Sequence, residues 1–161
     1  MEDIRQLIRS NVNYLVIVPS DLHVLFPALA EAKAANIPVI LIDQAAELSN
    51  SDYYMSRISA DYCREGRICA ELLTEKFGAA PCNIVELSGP EGSPGAKARD
   101  LGFQQIIQEH PNMKIIDLEY GNFDRIMAQK SMENALFEAK SRGEQINAVF
   151  AHSDESGLGA L

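Results

Sequence analysis

The sequence predicts an α/β protein in which parallel β-sheets are flanked by helices. Short continuous apolar runs, such as 14–18 and 39–42, are typical of parallel strands that are buried on both faces. Segments with the apolar spacing of a helix lie between these runs. This alternation extends through the 161 residues, and it requires right-handed crossovers between parallel strands.

The first half of the chain is predicted to contain three strands and three helices. The predicted strands are 14–18, 39–42 and 53–59. The third is less hydrophobic and is therefore expected nearer a sheet edge. Pro27 is expected near the start of the second helix, where its missing N–H costs nothing. The apolar positions of the three helices are Ile4, Leu7 and Ile8; Leu25, Ala28, Leu29 and Ala32; and Gly66, Cys69, Ala70, Leu73 and Phe77.

The second half repeats the same alternation. Predicted strands at 83–87, 114–118 and 148–151 are separated by a helix that ends near Glu109 and by a second helix that Gly143 ends. The apolar side of the second helix is predicted to comprise Ala128, Met132, Ala135, Leu136 and Ala139. The best boundary between two domains is the helix-breaking segment 78–81. It predicts domains of residues 1–78 and 79–161, with three strands each.

The composition excludes several classes of protein. Hydrophobic residues make up 47% of the chain and charged residues 23%, as in ordinary globular proteins. The net charge of -9 argues against nucleic-acid binding, which requires a basic surface. No apolar run is long enough to span a bilayer, and the first residues do not resemble a signal peptide. Three cysteines, an odd number, do not predict a disulfide framework.

An ordered set of short strings resembles the sugar-binding proteins of ABC transporters. The strings are 37–40, Asp43, 65–67, 83–87, Arg99 with 102–103, 123–125, and 151–152 followed by Asp154. The closest group is the ribose and galactofuranose branch of the type I periplasmic binding proteins. The resemblance implies two doubly wound lobes with sugar bound between them. On that template the chain is expected to be truncated at both ends, with 1–78 a partial N-terminal lobe and 79–161 a partial C-terminal lobe.

The resemblance also implies a function and partners. The chain is expected to be a solute-binding protein, not an enzyme, present as an incomplete fragment whose ligand binding is impaired. Its ligand is expected to be a monosaccharide, either a pentose or a hexose, with furanose forms included. Its protein partner is expected to be the permease of an ABC transporter. A periplasmic or extracellular location is the expectation for the family, and no cofactor is implied.

Three residues are predicted to contact sugar from different parts of the chain. A sugar site needs planar polar groups that pair with adjacent hydroxyls and an apolar face for the C–H side of the ring. Asp43 follows a predicted strand and can accept two hydroxyl hydrogens. Arg99 offers a rigid fork of donors. Phe123 offers an apolar wall, although a buried loop phenylalanine is an equal alternative.

Three further residues complete the predicted ligand site. Asp61 stands where a helix begins, so capping is an alternative to ligand contact. Gln44 stands where the family usually has an arginine, and Ser153 where it usually has an asparagine. Both residues retain hydrogen-bonding groups, but each change is expected to weaken the grip on a sugar by about 1–3 kcal/mol where the group is buried.

Other possible functional motifs lack the residues, spacing or geometry that their chemistry requires. The glycine-rich loop 89–95 precedes a helix but lacks the Gly-Lys-Ser/Thr ending of a phosphate-binding loop. His152, Ser153 and Asp154 are consecutive, so their side chains point apart and cannot form a catalytic relay. The histidines have no metal-ligand spacing. The sequence therefore predicts no catalytic residue and no metal site.

The expected truncation predicts self-association. In the family the strand at 14–18 has a partner that this chain is expected to lack, and an unpaired apolar edge promotes association between copies. We therefore expect association through exposed strand edges. Two other identities stay open at this point: the effector-binding domain of a LacI-type transcriptional regulator, and a non-functional truncated product.

Overall fold

The computed structural model describes residues 1–19, 22–43 and 51–161. These residues form two compact units, Met1–Ala60 and Asp61–Leu161. The α-helices are α1 (Glu2–Arg9), α2 (Leu22–Ala34), α3 (Tyr62–Phe77), α4 (Pro94–Ile107), α5 (Arg125–Ser141) and α6 (Asp154–Ala160), and a short 3-10 helix spans Ser51–Tyr53. The strands are β1 (Leu15–Ile17), β2 (Val39–Ile42), β3 (Ser56–Ile58), β4 (Cys82–Ser88), β5 (Met113–Tyr120) and β6 (Ala148–Ala151). The predicted α/β class is confirmed.

The first unit contains a parallel sheet with the strand order β1-β2-β3. β3 lies at an edge, as its weaker hydrophobicity predicted. β1 lies at the other edge and pairs only with β2 among the described strands, with Leu15 opposite Val39. The edge position of β1 leaves one side of its backbone without a described strand partner.

Helices cover one face of this sheet. Leu29 and Ala28 of α2 are fully buried in a cluster with Leu15, Val39 and Leu41. The alternation of side chains along each strand sends the neighbouring residues to the other face. On that face Val16 is 60%, Ile42 36% and Ile58 61% exposed. The first unit therefore presents an apolar sheet face to solvent.

The expectation that Pro27 lies near the start of its helix was wrong. α2 already begins at Leu22, so Pro27 lies inside the helix. A proline at such a position removes one helical hydrogen bond. The prediction that Ala28, Leu29 and Ala32 lie on the apolar side of α2 is confirmed, because all three are fully buried.

The second unit contains a parallel sheet with the strand order β5-β4-β6. Its two faces are both covered. Ile84 of β4 packs in one cluster with Ala70 of α3 and Phe103 of α4. Its neighbour Val85 packs in another cluster with Ala128 of α5. Leu136, which was predicted to belong to the apolar side of α5, is 52% exposed and points away from this core.

Along the chain, the division between the compact units falls between Ala60 and Asp61, whereas the sequence predicted a boundary between residues 78 and 79. The reason is that α3 packs directly against α4. A Cβ on Gly66 would clash with the backbone carbonyl of Arg99, and a Cβ on Gly102 would clash with that of Cys63. Two helix backbones in such close contact form one structural unit, and the break at Gly78 lies within it.

Candidate functional site

Four helices of the second unit begin at the same edge of its sheet. α4, α5 and α6 each follow the carboxyl end of a strand. α3 runs beside α4 in the same direction, since Tyr62 lies next to Gly95 and Gly66 next to Arg99. The carboxyl edge of an open α/β sheet is where such folds bind ligands.

Arg99 is held in place at this edge. Its Nε donates a hydrogen bond to Oε2 of Glu65 at 2.8 Å. Its guanidinium lies 4.4 Å from the centre of the Tyr62 ring. The Arg99 side chain is only 18% exposed. Because Nε and one face of the plane are used by the protein, the terminal nitrogens of the fork are the donors that remain for a ligand.

Arg99 and Ser153 line the same cavity, whose volume is about 1030 Å³. Glu65, His152 and Asp154 line it as well. The structure therefore brings together two of the predicted ligand residues, from α4 and from the start of α6. Both donors and acceptors face this space, as sugar hydroxyls require.

The Ser153 hydroxyl has a structural role. Its Oγ accepts a hydrogen bond from the backbone N–H of Ser156 at 3.1 Å and so caps α6. The same hydroxyl donates to Oγ of Ser156 at 3.0 Å. Capping fixes the direction of the Ser153 side chain at the cavity wall.

Phe123 lies at the same edge of the sheet but does not line that cavity. Asn122 and Phe123 both adopt positive φ angles, 52° and 59°. This turn places the Phe123 ring over Gly89, where a Cβ would overlap the ring. The ring remains 38% exposed. Phe123 is thus an aromatic surface above the carboxyl end of β4.

Two other predicted ligand residues, Asp43 and Asp61, do not line this cavity. Asp43, in the first unit, follows β2 with a φ of 61°, and its N–H donates to the Ile58 carbonyl at 2.8 Å. Asp61 caps α3 through a hydrogen bond from the N–H of Arg64 at 2.9 Å, as its alternative interpretation held. Gln44 lies outside the described residues.

A buried pair of titratable residues was not predicted. Nε2 of His152 lies 3.0 Å from Oε1 of Glu86, and both side chains are almost completely buried. The two atoms do not form a hydrogen bond, so they make a close polar contact between β4 and the residue that follows β6. The signal in the sequence was a glutamate inside the apolar run 83–87.

Cys69 also lines the cavity, but its environment opposes reactivity. Burial raises the pKa of the Cys69 thiol, and the charge of Glu65 raises it further, although Arg99 acts in the opposite direction. A raised pKa keeps the thiol protonated at neutral pH.

Within the described ranges, no cluster of His, Cys, Asp or Glu is arranged to hold a metal ion. No described helix has the length and hydrophobicity needed to cross a membrane.

Residues 1–161 match a protein family described as "Periplasmic binding protein domain". The chain is 34% identical to the galactofuranose-binding protein YtfQ of Escherichia coli K12 over 98% of its length, and 31% identical to the ribose import binding protein RbsB of Bacillus subtilis 168 over 99%. A solved structure is also similar, the periplasmic component of the arabinose ABC transporter from Shewanella sp. ANA-3 bound to α- and β-L-arabinofuranose. It is 34% identical with a TM-score of 0.92, and the match covers 99% of this chain and 52% of that one.

These matches confirm the resemblance found in the sequence. They also relate the length of this chain to the lengths of its relatives. The chain spans 49% of each of the two curated relatives. It therefore corresponds to about half of such a protein.

Proposed function

The chain belongs to the periplasmic binding protein domain family, and from this premise we propose that it is a sugar-binding part of an ABC transporter receptor. The observation that supports this most is the shared cavity of Arg99 and Ser153 at the carboxyl edge of the second sheet. A guanidinium that is pre-oriented by Glu65 and Tyr62 loses little entropy when it binds adjacent hydroxyls.

The proposed ligand is a monosaccharide in the furanose form. Two of the relatives described above carry furanose sugars in their names or titles, galactofuranose and arabinofuranose. Arg99 would donate to ring hydroxyls, and Phe123 would supply an apolar surface at the same edge. Asp43 and Gln44 remain proposed ligand residues of the first unit, and Asp61 remains proposed at the start of α3.

The proposal includes the setting of the protein. The relatives are binding proteins of transport systems rather than enzymes. We therefore propose that the chain carries out no catalysis, that it acts in the periplasm, and that it delivers sugar to a permease.

We also propose that copies of the chain associate through the edge of β1 that has no described strand partner. Val16 of β1 is 60% exposed and Tyr14, just before the strand, is 59% exposed. An unpaired apolar edge promotes association. A Val16→Lys variant should lower the molar mass measured by light scattering. A wild-type chain that is monomeric at all concentrations would contradict the proposal.

Isothermal titration calorimetry tests sugar binding. The ligands are L-arabinose, D-galactose and D-ribose, together with methyl α-L-arabinofuranoside and methyl α-L-arabinopyranoside, which are locked in one ring form. We expect heat of binding with the free sugars and with the furanoside, and less with the pyranoside. An absence of heat with all five ligands would refute the proposed function.

Two arginine variants show where the sugar binds. Arg99→Lys keeps the charge but loses the fork, so it should weaken binding about tenfold or more. Arg142→Lys is the matched control, because Arg142 follows α5 at the opposite edge and pairs with Glu144 at 2.7 Å. Equal affinities of the two variants would exclude Arg99 from the site.

A further inference from the structure

A second cavity of the second unit lies between α4 and the end of β5. Its volume is about 290 Å³. The polar residues that line it come from β4, the loop before α4, α4 itself and β5; they are Glu86, Ser88, Glu91, Lys97, Asp100 and Tyr120. It shares no lining residue with the cavity of Arg99 and Ser153. The two cavities are therefore separate spaces on different sides of α4.

The floor of this second cavity is polar and buried. Glu86 and Ser88 alternate with Leu87 along β4, so both lie on the face of the sheet opposite to Leu87. Glu86 is 1% exposed and Ser88 is 6% exposed. Among the described residues, Oε1 of Glu86 and the Ser88 hydroxyl have no hydrogen-bond partner. Because buried polar groups are normally hydrogen-bonded, such groups at a cavity floor indicate a ligand.

The walls of the second cavity carry more negative than positive charge. Glu91 and Asp100 are carboxylates, and Lys97 is the single basic residue among the described residues that line it. No ion pair joins Lys97 to either carboxylate in the described part of the chain. Asp100 accepts a hydrogen bond from the neutral amide of Gln104 at 2.6 Å, which leaves its charge unbalanced. These charges favour a cationic ligand over an anion.

The start of α4 does not offer a phosphate site, although a glycine-rich loop precedes it. Ser93 caps the helix by accepting a hydrogen bond from the N–H of Ala96, and Pro94 has no N–H. The N–H of Lys97 donates to the Ser93 carbonyl at 3.0 Å. Anion sites at helix starts depend on free backbone N–H groups, and these three positions do not provide them.

The size of the second cavity and the spacing of its carboxylates suit an organic cation. In the part of the chain that the structure describes, no His, Cys, Asp and Glu side chains are grouped so that they could hold a metal ion. A primary ammonium group carries several donors and can bridge acceptors that lie further apart. A volume of about 290 Å³ is at the small end of the range for ligand cavities. The ligand should therefore be a small molecule.

We propose that the second cavity binds a small amino alcohol, a molecule with one primary ammonium group and one or more hydroxyl groups. The ammonium group donates to the carboxylates of Asp100 and Glu91. A hydroxyl group pairs with Ser88 and Glu86 on the floor, and the C–H atoms pack against Leu118. The inference does not depend on sugar binding, because it uses none of the residues that line the first cavity.

Nuclear magnetic resonance of the isotope-labelled chain tests the proposal with serinol, which is glycerol with an ammonium group in place of its central hydroxyl. Glycerol itself is the matched control ligand. We expect saturable shifts of the backbone amides of Glu91, Gly92 and Lys97 with serinol. Glycerol should bind about tenfold more weakly or less, because it cannot form charge-assisted hydrogen bonds with the carboxylates.

A pair of acidic variants tests the location. Asp100→Asn keeps the size of the side chain and an acceptor for Gln104, but it removes the charge, so it should weaken serinol binding about tenfold. Glu109→Gln is the matched control, because it removes one negative charge just after α4 at a position that does not line the second cavity. Circular dichroism checks that both variants fold.

A third variant tests the buried floor. Ser88→Ala removes the hydroxyl with little change in volume, and it should weaken serinol binding about threefold or more. The same variant should not change the affinity for L-arabinose, since Ser88 does not line the first cavity. An unchanged affinity for serinol in Ser88→Ala would overturn the proposal, because serinol would then bind to exposed carboxylates without entering the cavity.

Three further outcomes would overturn the proposal. The first is an absence of saturable shifts with serinol. The second is an equal affinity for serinol and glycerol, or an equal loss in Asp100→Asn and Glu109→Gln, which would mean that no specific carboxylate holds the ammonium group. The third is a set of shifts confined to Arg99 and Ser153, because serinol would then occupy the first cavity.

Discussion

The two sheets of this chain have the same number of strands and differ in how they are covered. In the second unit, α3 and α4 cover one face and α5 and α6 the other. In the first unit, described helices cover one face, while Val16, Ile42 and Ile58 on the other are exposed. Parallel sheets are normally buried on both faces. The second unit therefore buries both faces of its own sheet, whereas the first unit leaves one face of its sheet exposed.

Loss of the contact between α3 and α4 should have the largest effect, because it should destabilise the second unit and leave the first unit unchanged. Gly66→Ala would push a methyl group into the Arg99 backbone. We expect a loss of about 3 kcal/mol in the free energy of unfolding of the second unit, measured by urea denaturation. Hydrogen exchange of the first unit should not change.

Gly157→Ala is the matched control for that substitution. A Cβ at Gly157 would meet only Ala151, at an ordinary distance of 3.8 Å. Alanine is the better helix former, so this change should be neutral or stabilise by up to about 1 kcal/mol. Equal losses in the two variants would show that the α3–α4 contact is not the cause.

The buried pair of Glu86 and His152 should have the next largest effect. Glu86→Leu leaves the His152 ring buried without its partner, and we expect a cost of about 2–3 kcal/mol. The double variant Glu86→Leu with His152→Leu removes both polar groups and should recover part of that loss. Thermal unfolding of the wild type, the two single variants Glu86→Leu and His152→Leu, and the double variant measures both effects. Additive losses would contradict a coupled pair.

A single type of substitution can compare the two sheets directly. Val85→Thr places a hydroxyl in a fully buried position of β4 and should cost about 1–2 kcal/mol. Val16→Thr changes a position that is 60% exposed and should cost about 0.5 kcal/mol or less. If Val16→Thr is as costly as Val85→Thr in chemical denaturation, the outer face of the first sheet is covered in solution.

The smallest expected effect is a difference in pH dependence. The hydrogen bond from Arg5 lowers the pKa of Glu31, and this pair joins α1 to α2. A lowered pKa contributes stability above the unfolded-state pKa, and that contribution is lost as the pH falls through the folded-state value. Burial raises the pKa of Glu119 on β5, so its contribution is present at low pH and lost as the pH rises through that raised value.

Hydrogen exchange at several acidic pH values measures this difference between the units. Protection of α1 should fall on acidification below the ordinary pKa of glutamate, about 4.3. Protection of β5 should rise earlier, as the pH falls through the raised pKa of Glu119 towards that ordinary value. Glu31→Gln should reduce the pH dependence of protection in the first unit, and Glu119→Gln should reduce it in the second unit. If protection changes with pH in the same direction in both units, the assignment of the two opposite effects to Glu31 and Glu119 is contradicted.

Much of the fold was predictable because apolar runs and helical stripes are local patterns. β2 was predicted with its observed bounds, and the edge position of β3 followed from its composition. The domain boundary was not predictable in this way. Gly78 does end α3, but the close approach of Gly66 and Gly102 joins α3 to the second unit, and such a contact between distant residues leaves no local pattern.

The site was predictable to a smaller extent. Arg99 and Ser153 were named from the resemblance, and the structure places both in one cavity. Tyr62 and Glu65, which orient Arg99, were not named as its partners, because their role depends on the packing of α3 on α4. Sequence spacing can suggest which side chains reach a sheet edge, but not which neighbours hold them there.

The most direct test of the central claim is a titration of isotope-labelled protein with L-arabinose, followed by nuclear magnetic resonance. We expect saturable shifts of the Arg99 Nε–H signal and of the backbone amides that follow β4, β5 and β6. Signals at the opposite edge, such as those of Asn112 and Gly143, should not move. Saturable shifts confined to that opposite edge, or an Arg99 signal that never moves, would contradict a sugar site at the carboxyl ends of the strands.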